Sequence, residues 1–285
     1  MKKMTKKRVI LIASMLLTGL CVWTLWGNTA LEINEYTIKS DKIPEAFTGF
    51  RITQVTDLHN TQFGENNSKL IELLSLSCPD IIVITGDLID SRHTDIKIAL
   101  EFARQGMKIA PVYYVTGNHE ARVSEYQDLK MGLEEAGVIV LEDLKVILEQ
   151  EGESITLLGL NDPSFQTDYL FGDAESVINQ EITSLQNEYD GYTVLLSHRP
   201  ELFDTYVDTG VDLVFSGHAH GGQIRLPFIG GLVAPNQGLF PKYDAGLFSE
   251  DNTHMIVSRG VGISIIPLRM NNRPEIVVVE LLSTK

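Results

Sequence analysis

The sequence predicts an α/β domain built around parallel strands, preceded by one membrane-spanning helix. Three observations carry that expectation. The runs Asp80 to Thr85 (DIIVIT) and Pro111 to Thr116 (PVYYVT) are continuously apolar and rich in β-branched and aromatic residues, as strands buried on both faces are. Segments with helical spacing stand between and beside them. From Val9 to Leu31 there is no charged residue at all.

The N-terminal segment comes first. Val9 to Trp26 is almost wholly apolar, close to the roughly 20 residues that a bilayer-spanning helix needs. Lys2, Lys3, Lys6, Lys7 and Arg8 all precede it, so the positive-inside rule places residues 1–8 in the cytoplasm, residues 9–30 across the membrane and the rest of the chain outside. Trp23 and Trp26 then fall in the outer interfacial belt. A cleaved signal peptide is the competing expectation, with Asn28 and Ala30 the nearest approach to a cleavage site, and a buried cytosolic helix ranks last.

The remainder, residues 31–285, reads as one domain without repeats or low-complexity tracts. Leu31 to Ser40 alternates like an edge strand, and Phe50 to Thr56 reads as a second strand. Helical spacing over Asn67 to Leu76, Asp95 to Gln105 and Ser124 to Ala136 completes a β-α-β-α-β-α order, which implies crossover helices on a sheet with parallel strands. Short strands follow over Val138 to Val140, Lys145 to Glu149 and Ile155 to Leu160, then a helix from Ala174 to Tyr189. Further strands are expected at Thr193 to Ser197, Leu213 to Ser216, His254 to Ser258 and Glu275 to Leu282. Gly217 to Gly246 is rich in glycine and proline and reads as a long functional loop with short strands.

Composition narrows the partners. The chain has 285 residues and a net charge of −15; without its five N-terminal basic residues, 18 basic stand against 38 acidic, a body of −20. Such a body repels polyanions, so long nucleic acid and a densely anionic bilayer are poor partners unless a local patch overrides the average. Cys21 lies in the apolar run and Cys78, read as a small core residue, stands alone, so no C-x-x-C site or internal disulfide framework is available. Any metal must be held by nitrogen and oxygen.

Candidate ligands follow predicted strands. Taken alone, Asp57-Leu58-His59 and Gly86-Asp87 are as well explained by strand-ending turns. Gly117-Asn118-His119-Glu120 is more specific, and Ser197-His198 alone is weak. Gly217-His218-Ala219-His220-Gly221-Gly222 is the strongest element, because alternate imidazoles can diverge to neighbouring sites while glycines let the backbone approach closely. Five of the seven histidines fall just after predicted strands, and in open α/β sheets those carboxyl ends form the ligand crevice. His93 and His254 match nothing and carry no assigned role.

The order D-x-H, G-D, G-N-H-E, S-H and G-H-x-H, from about Arg51 onward, resembles the calcineurin-like metallophosphoesterase superfamily. LSHRPELF, GHAHGGQIRLP, SRGVGISIIPLR and RPEI resemble its bacterial membrane-associated YkuE/YaeI branch of phosphodiesterases. The resemblance implies a four-layer α/β/β/α sandwich of two mixed sheets and two divalent metal ions. Asp57, His59 and His220 would hold the first ion, Asn118, His198 and His218 the second, and Asp87 would bridge them. His119 would be no ligand but would steady the transition state or protonate the leaving oxygen, with Glu120 or Asp57 as its expected carboxylate partner. Manganese is the first expectation by resemblance, and the donor set also suits iron or zinc. Arg199 and Gln223, and beyond them Arg259 and Arg269, are candidate substrate contacts.

The implied activity is hydrolysis of a small or lipid-linked phosphodiester on the outer side of the membrane. Alternatives are a nucleotide-sugar or lipid-precursor pyrophosphatase, a nuclease, or a surface metal-binding protein with little turnover. The acidic body speaks against the nuclease.

Overall fold

The chain is described from a computed structural model covering residues 5–166, 174–187, 191–263 and 268–285. The first helix, α1 (Lys6–Gly27), leads to β1 (Glu32–Ser40), β2 (Arg51–Val55), α2 (Ser68–Leu76), β3 (Ile81–Thr85), α3 (Ile96–Gly106), β4 (Val112–Val115), α4 (Tyr126–Glu135) and β5 (Ile139–Val140). Then come β6 (Leu144–Gln150), β7 (Glu153–Gly159), α5 (Ala174–Gln186), β8 (Thr193–Leu196), α6 (Phe203–Thr209) and β9 (Leu213–Ser216). Four two-residue strands follow, β10 (Arg225–Leu226), β11 (Gly230–Gly231), β12 (Val233–Ala234) and β13 (Gly238–Leu239). After them stand β14 (Gly246–Glu250), β15 (Thr253–Val257) and β16 (Glu275–Ser283).

These strands make two six-stranded mixed sheets, ordered β1-β16-β2-β3-β4-β5 and β14-β15-β9-β8-β7-β6. In the first sheet β2, β3, β4 and β5 are parallel, as crossover helices require, and β16 inserts antiparallel to β2 and parallel to β1. In the second sheet β7, β8, β9 and β15 are parallel, with β6 and β14 antiparallel at the edges.

Side-chain alternation explains the layering. Ile82 and Ile84 of β3 pack with Leu74 of α2, Phe102 of α3 and Leu133 of α4. Ile81 and Val83 point the other way and pack between the sheets with Leu196, Phe215 and Ile256. A third cluster joins the far face of the second sheet, through Leu195 and Val214, to Ile178 and Ile182 of α5 and Phe203 and Tyr206 of α6. The layers therefore run helix, sheet, sheet, helix, and DIIVIT is continuously apolar because it faces two cores.

Local signals act where they should. Asp95 caps α3 by accepting the Lys97 N–H, and Ala99, Phe102, Ala103 and Gly106 form its buried stripe. By contrast α1 exposes its apolar side chains, and only Thr24 is buried. It is a helix long and apolar enough to cross a membrane, and its exposure is consistent with membrane association.

Some expectations shift. The helix α6 and the edge strand β14 stand where no element was expected. Cys78 is exposed, not a core residue: it sits in the turn after α2 with a φ of 47°. The last residues of the expected Ala174 to Tyr189 helix, and part of the GISIIPLR run, lie outside the described residues.

The inter-sheet layer gives a stability test. Phe215 is fully buried there, one strand end away from the histidines of the loop that follows. Phe215→Ala is expected to destabilise the protein by about 3–5 kcal/mol in denaturant unfolding; a change under about 1 kcal/mol would mean that the two sheets do not pack as described.

Candidate metal centre

The carboxyl ends of β2, β3, β4, β8 and β9 meet, and their loops are tied by backbone bonds. Asp57 N–H donates to Gly86 O (3.1 Å), His59 N–H to Asp87 O (3.0 Å) and Gly217 N–H to His198 O (3.2 Å). His119 N–H donates to Asp87 Oδ1 (2.9 Å), and His218 N–H to Asp57 Oδ2 (3.1 Å). Asp57, His59, Asp87, His218 and His220 all take left-handed φ values between 45° and 65°, a sparsely populated region for such side chains that clusters at functional sites.

Close approach explains two glycines. A Cβ on Gly86, whose φ is +90°, would stand 2.7 Å from both Gly117 Cα and His198 Nδ1. One on Gly217 would stand 2.6 Å from Asp57 Oδ2. In both places a side chain would push one ligand-bearing loop off the next.

Two ligand clusters result. Asp57, His59 and His220 offer donor atoms that face one point: both histidine Nε2 atoms lie near Asp57 Oδ1, at 3.7 and 3.2 Å, and 3.2 Å from each other. Asp87, His198 and His218 form the other. Asp87 Oδ2 lies 3.3 Å from His198 Nε2 and 3.5 Å from His59 Nε2, so one carboxylate oxygen faces both groups. His198 Nδ1 donates to Thr85 O (2.7 Å), which orients Nε2 toward the centre. Buried Asn118 Oδ1 and His198 Nε2 have no hydrogen-bond partner. Buried polar atoms left without partners beside carboxylates and imidazoles suit a bound cation, which would satisfy an amide oxygen and a deprotonated ring nitrogen alike.

Charge supports this. Burial would strip the proton from His59 and His198, but the carboxylates of Asp57 and Asp87 outweigh it and raise both imidazoles, His198 to about 10. Burial would likewise raise Asp57 and Asp87, and the surrounding imidazoles hold both carboxyls low instead. His220 is pushed down to about 3 by burial, only partly offset by Asp57, and His218 is lowered by burial and Arg199. Without metal, the proton on His198 thus stands in for a cation, and His59 is pushed the same way.

His119 lies outside these two groups, beside His59, with ring centroids 4.4 Å apart. Ser91 N–H donates to its Nδ1 at 3.0 Å. A backbone N–H can only donate, so Nδ1 keeps its lone pair and Nε2 carries the proton. Nε2 lies 4.0 Å from Asp87 Oδ2, on the side of the centre, and burial lowers the ring's pKa. The expected pairing with Glu120 or Asp57 does not occur. Glu120 accepts from the backbone N–H groups of Asp87 (3.0 Å), Gly117 (2.8 Å) and Ile89 (3.3 Å), where burial and Asp87 raise its pKa to about 7. The other carboxylate near His119 is Asp90, 3.9 Å from Nδ1, held at about 2 because hydrogen bonds from Arg92 outweigh its burial. Asp90 also joins His59 and His119 in a third donor group.

The outer candidates are engaged with protein. Arg199 grips Asp162 through Nε (2.6 Å) and Nη2 (2.8 Å), and its Nη1 reaches His218 Nε2 at 3.1 Å. Asn236 Oδ1 stands 3.2 Å from the same nitrogen. Gln223 donates to Leu268 O (3.0 Å), and Arg259 is paired with Glu275 and Glu32. Arg269 donates to Gly262 O and lies 3.5 Å from His220 Nδ1. His93 is exposed, and His254 pairs with Ser249 Oγ (2.7 Å). Asp90, Asp162 and Asn236 are absent from the sequence expectations. Asp90 and Asp162 follow β3 and β7 closely, so the strand-end rule that gave the candidate ligands would have given them too. Asn236 gives no such signal.

Two sheets whose strand ends gather histidines, aspartates and an asparagine define a metal-dependent phosphoesterase class. Residues 50–222 match the calcineurin-like phosphoesterase family, and the chain belongs to it. It is a family of phosphoester hydrolases that use divalent metal ions. The chain is 31% identical to the metallophosphoesterase YkuE of Bacillus subtilis (strain 168) over 259 residues, 89% of this chain and 86% of that protein. It is 30% identical to the phosphodiesterase YaeI of Escherichia coli (strain K12) over 244 residues, 82% of each. Among solved structures, TT1561 of Thermus thermophilus superposes with a TM-score of 0.50 at 13% identity, covering 75% of this chain and 91% of that one. That likeness speaks to the fold.

The proton on His198 predicts a linkage. Its ring is raised to about 10, so near pH 7.5 it is charged without metal and must lose its proton to become a ligand, and His59 is raised in the same direction. Calorimetry in buffers of different ionisation enthalpy should show at least one proton released on loading, with affinity rising as pH rises toward about 10. Loading without proton release would mean that other groups bind the metal.

Proposed function

We propose that the chain is a dinuclear phosphodiesterase acting on a small or lipid-linked phosphodiester outside the membrane. The observation that carries this is the position of Asp87 Oδ2, 3.3 and 3.5 Å from one histidine of each ligand group. Asp57, His59 and His220 would hold one ion and Asn118, His198 and His218 the other, with Asp87 shared. Manganese is the first choice, with iron or zinc also suited to nitrogen and oxygen donors. When bound, such a pair lowers the pKa of a shared water and offsets the charge of the phosphate.

The protein residues have separate tasks. Glu120 fixes the backbone of Asp87 and Gly117, so the bridging carboxylate keeps its direction. Arg199, clamped by Asp162, sets the ring of His218. Arg199 Nη1 can only donate, so it faces a lone pair on His218 Nε2, and Asn236 Oδ1 stands 3.2 Å from the same nitrogen. His119 presents Nε2–H toward the place where charge grows on the leaving oxygen. Because Ser91 N–H occupies Nδ1, the ring acts as a neutral donor that stabilises this charge, not as an imidazolium giving up a proton.

In the membrane reading, residues 1–8 are cytoplasmic, residues 9–30 form the anchor and residues 31–285 form the catalytic domain. Lysines and an arginine on one side only, and the exposed α1, support it. A reporter enzyme fused after Trp26 should be active only outside the cytoplasm; activity inside would reverse the orientation.

For the chemistry, the metal-stripped chain with added manganese should hydrolyse a chromogenic phosphodiester. Asp87→Ala is expected to abolish the activity. His119→Ala is expected to lower kcat by about 10²–10⁴-fold while leaving the stoichiometry of metal binding unchanged. Activity that persists in Asp87→Ala, or without metal, would sink the reading.

A further inference from the structure

The outer end of α1 does not leave the domain freely. Asn28 Nδ2 donates to Arg269 O and Arg269 N–H donates to Asn28 Oδ1, each at 2.8 Å. Arg273 donates from Nε to Ala30 O and from Nη2 to Leu31 O, both at 2.9 Å, and its guanidinium lies 5.0 Å above the Trp26 ring. Between the helix end and the Arg269–Arg273 segment is a cavity of about 250 Å³, lined among others by Trp23, Trp26, Glu32, Arg259, Arg269 and Arg273.

We propose that this cavity is a binding site for the phosphate of an anionic membrane lipid. Three arginines against one glutamate gather there on a chain whose net charge is −15. Two of them are committed to neighbours: Arg259 to Glu32 and Glu275, and Arg273 to Glu32. Arg269 forms no ion pair with an acidic side chain among the described residues. It is 1% exposed, and its buried Nη1 has no hydrogen-bond partner. Arg269 lines the cavity, its guanidinium keeps one donor unused, and phosphate oxygens accept such donors well.

The depth fits a lipid. Trp23 stands 17 residues beyond Lys6, about 25 Å along a helix, which sets the two tryptophans near the far edge of a hydrocarbon core about 30 Å thick. Lipid phosphates lie at that level, where tryptophans are enriched. A hairpin bonded to the Arg269–Arg273 segment also carries apolar surface. Arg225 N–H donates to Met270 O (3.0 Å), and from there the β10–β11 hairpin runs out to a turn where Phe228 and Ile229 are exposed. A bilayer beside α1 would cover them.

The proposal rests on α1 crossing a bilayer, as proposed above, and not on the metal chemistry. Trp23 and Trp26 are the only tryptophans in the chain, so intrinsic fluorescence reports on the cavity directly. The full chain in detergent, with metals chelated, is titrated with phosphatidylglycerol, with phosphatidylcholine of the same acyl chains, and with inorganic phosphate. The expected result is a saturable response to phosphatidylglycerol about tenfold tighter than to phosphatidylcholine, with no comparable response to inorganic phosphate.

Arg269→Gln should remove that preference, and Asp87→Ala, which disables the metal centre, should leave it unchanged. Equal responses to the two lipids, saturation by inorganic phosphate at the same concentration, or an unaltered preference in a folded Arg269→Gln chain would overturn the proposal. The comparison of lipids on the unsubstituted chain decides the matter even where Arg269→Gln does not fold. Failure here would leave the hydrolase reading standing, because metals are absent throughout.

Discussion

The arrangement depends on one carboxylate that has been buried before it has been neutralised. Asp87 is 1% exposed, and its Oδ1 accepts a single backbone N–H, from His119, while Oδ2 faces imidazoles. A charge taken out of water at that cost must be met by opposite charge at short range. Every nearby feature serves that meeting. Gly86 and Gly117 let the loops after β3 and β4 touch, Glu120 ties both loops from beneath, and Thr85 O aims His198. The inter-sheet core matters to chemistry for the same reason. Val83, Val115, Leu196 and Phe215 fix how far apart the strand ends of the two sheets lie, and the ligand groups come from both sheets.

Much of this could be read in the sequence because burial on two faces leaves a plain mark. DIIVIT and PVYYVT had to be interior strands, and polar residues straight after them had to be either turns or ligands. What decides between the two is convergence, which is non-local. Pairing of β1 with β16, about the whole length of the domain apart, and the insertion of β16 beside β2 leave no local trace. Elements set by context were lost for that reason. The seven-residue helix α6 is too short for a stable period of its own, and it exists because Phe203 and Tyr206 cover the second sheet. Cys78 looked like a core residue because cysteine usually is one, yet the turn before Pro79 turns it outward.

The supporting residues were harder still. Glu120 looked like a partner for its neighbour His119, and adjacency misled: consecutive residues in the loop point to different places, and the carboxylate went to backbone donors. Arg199 looked like a phosphate contact because it is basic and beside a ligand. In the fold it is 3% exposed, and Asp162 holds it at two points, so its charge is spent before any substrate arrives. A residue type beside a motif states what chemistry is available, whereas burial states whether that chemistry faces inward or outward.

Substrate selection must then come from elsewhere. A body of −20 does not attract a phosphate ester over distance, and the arginines nearest the ligand groups are largely turned to protein partners. Selection would then rest on short-range contact, and the loop that bears His218 and His220 offers a surface for it. Its two hairpins expose Phe228, Ile229, Leu239 and Phe240, an arrangement that costs solubility and gains nothing in the core. That cost is offset when the apolar tips meet something apolar. On the lipid-linked reading proposed above, a substrate with an acyl chain would bring such a surface with it, and it would reach an acidic protein by confinement to the bilayer plane where a free anion would be repelled.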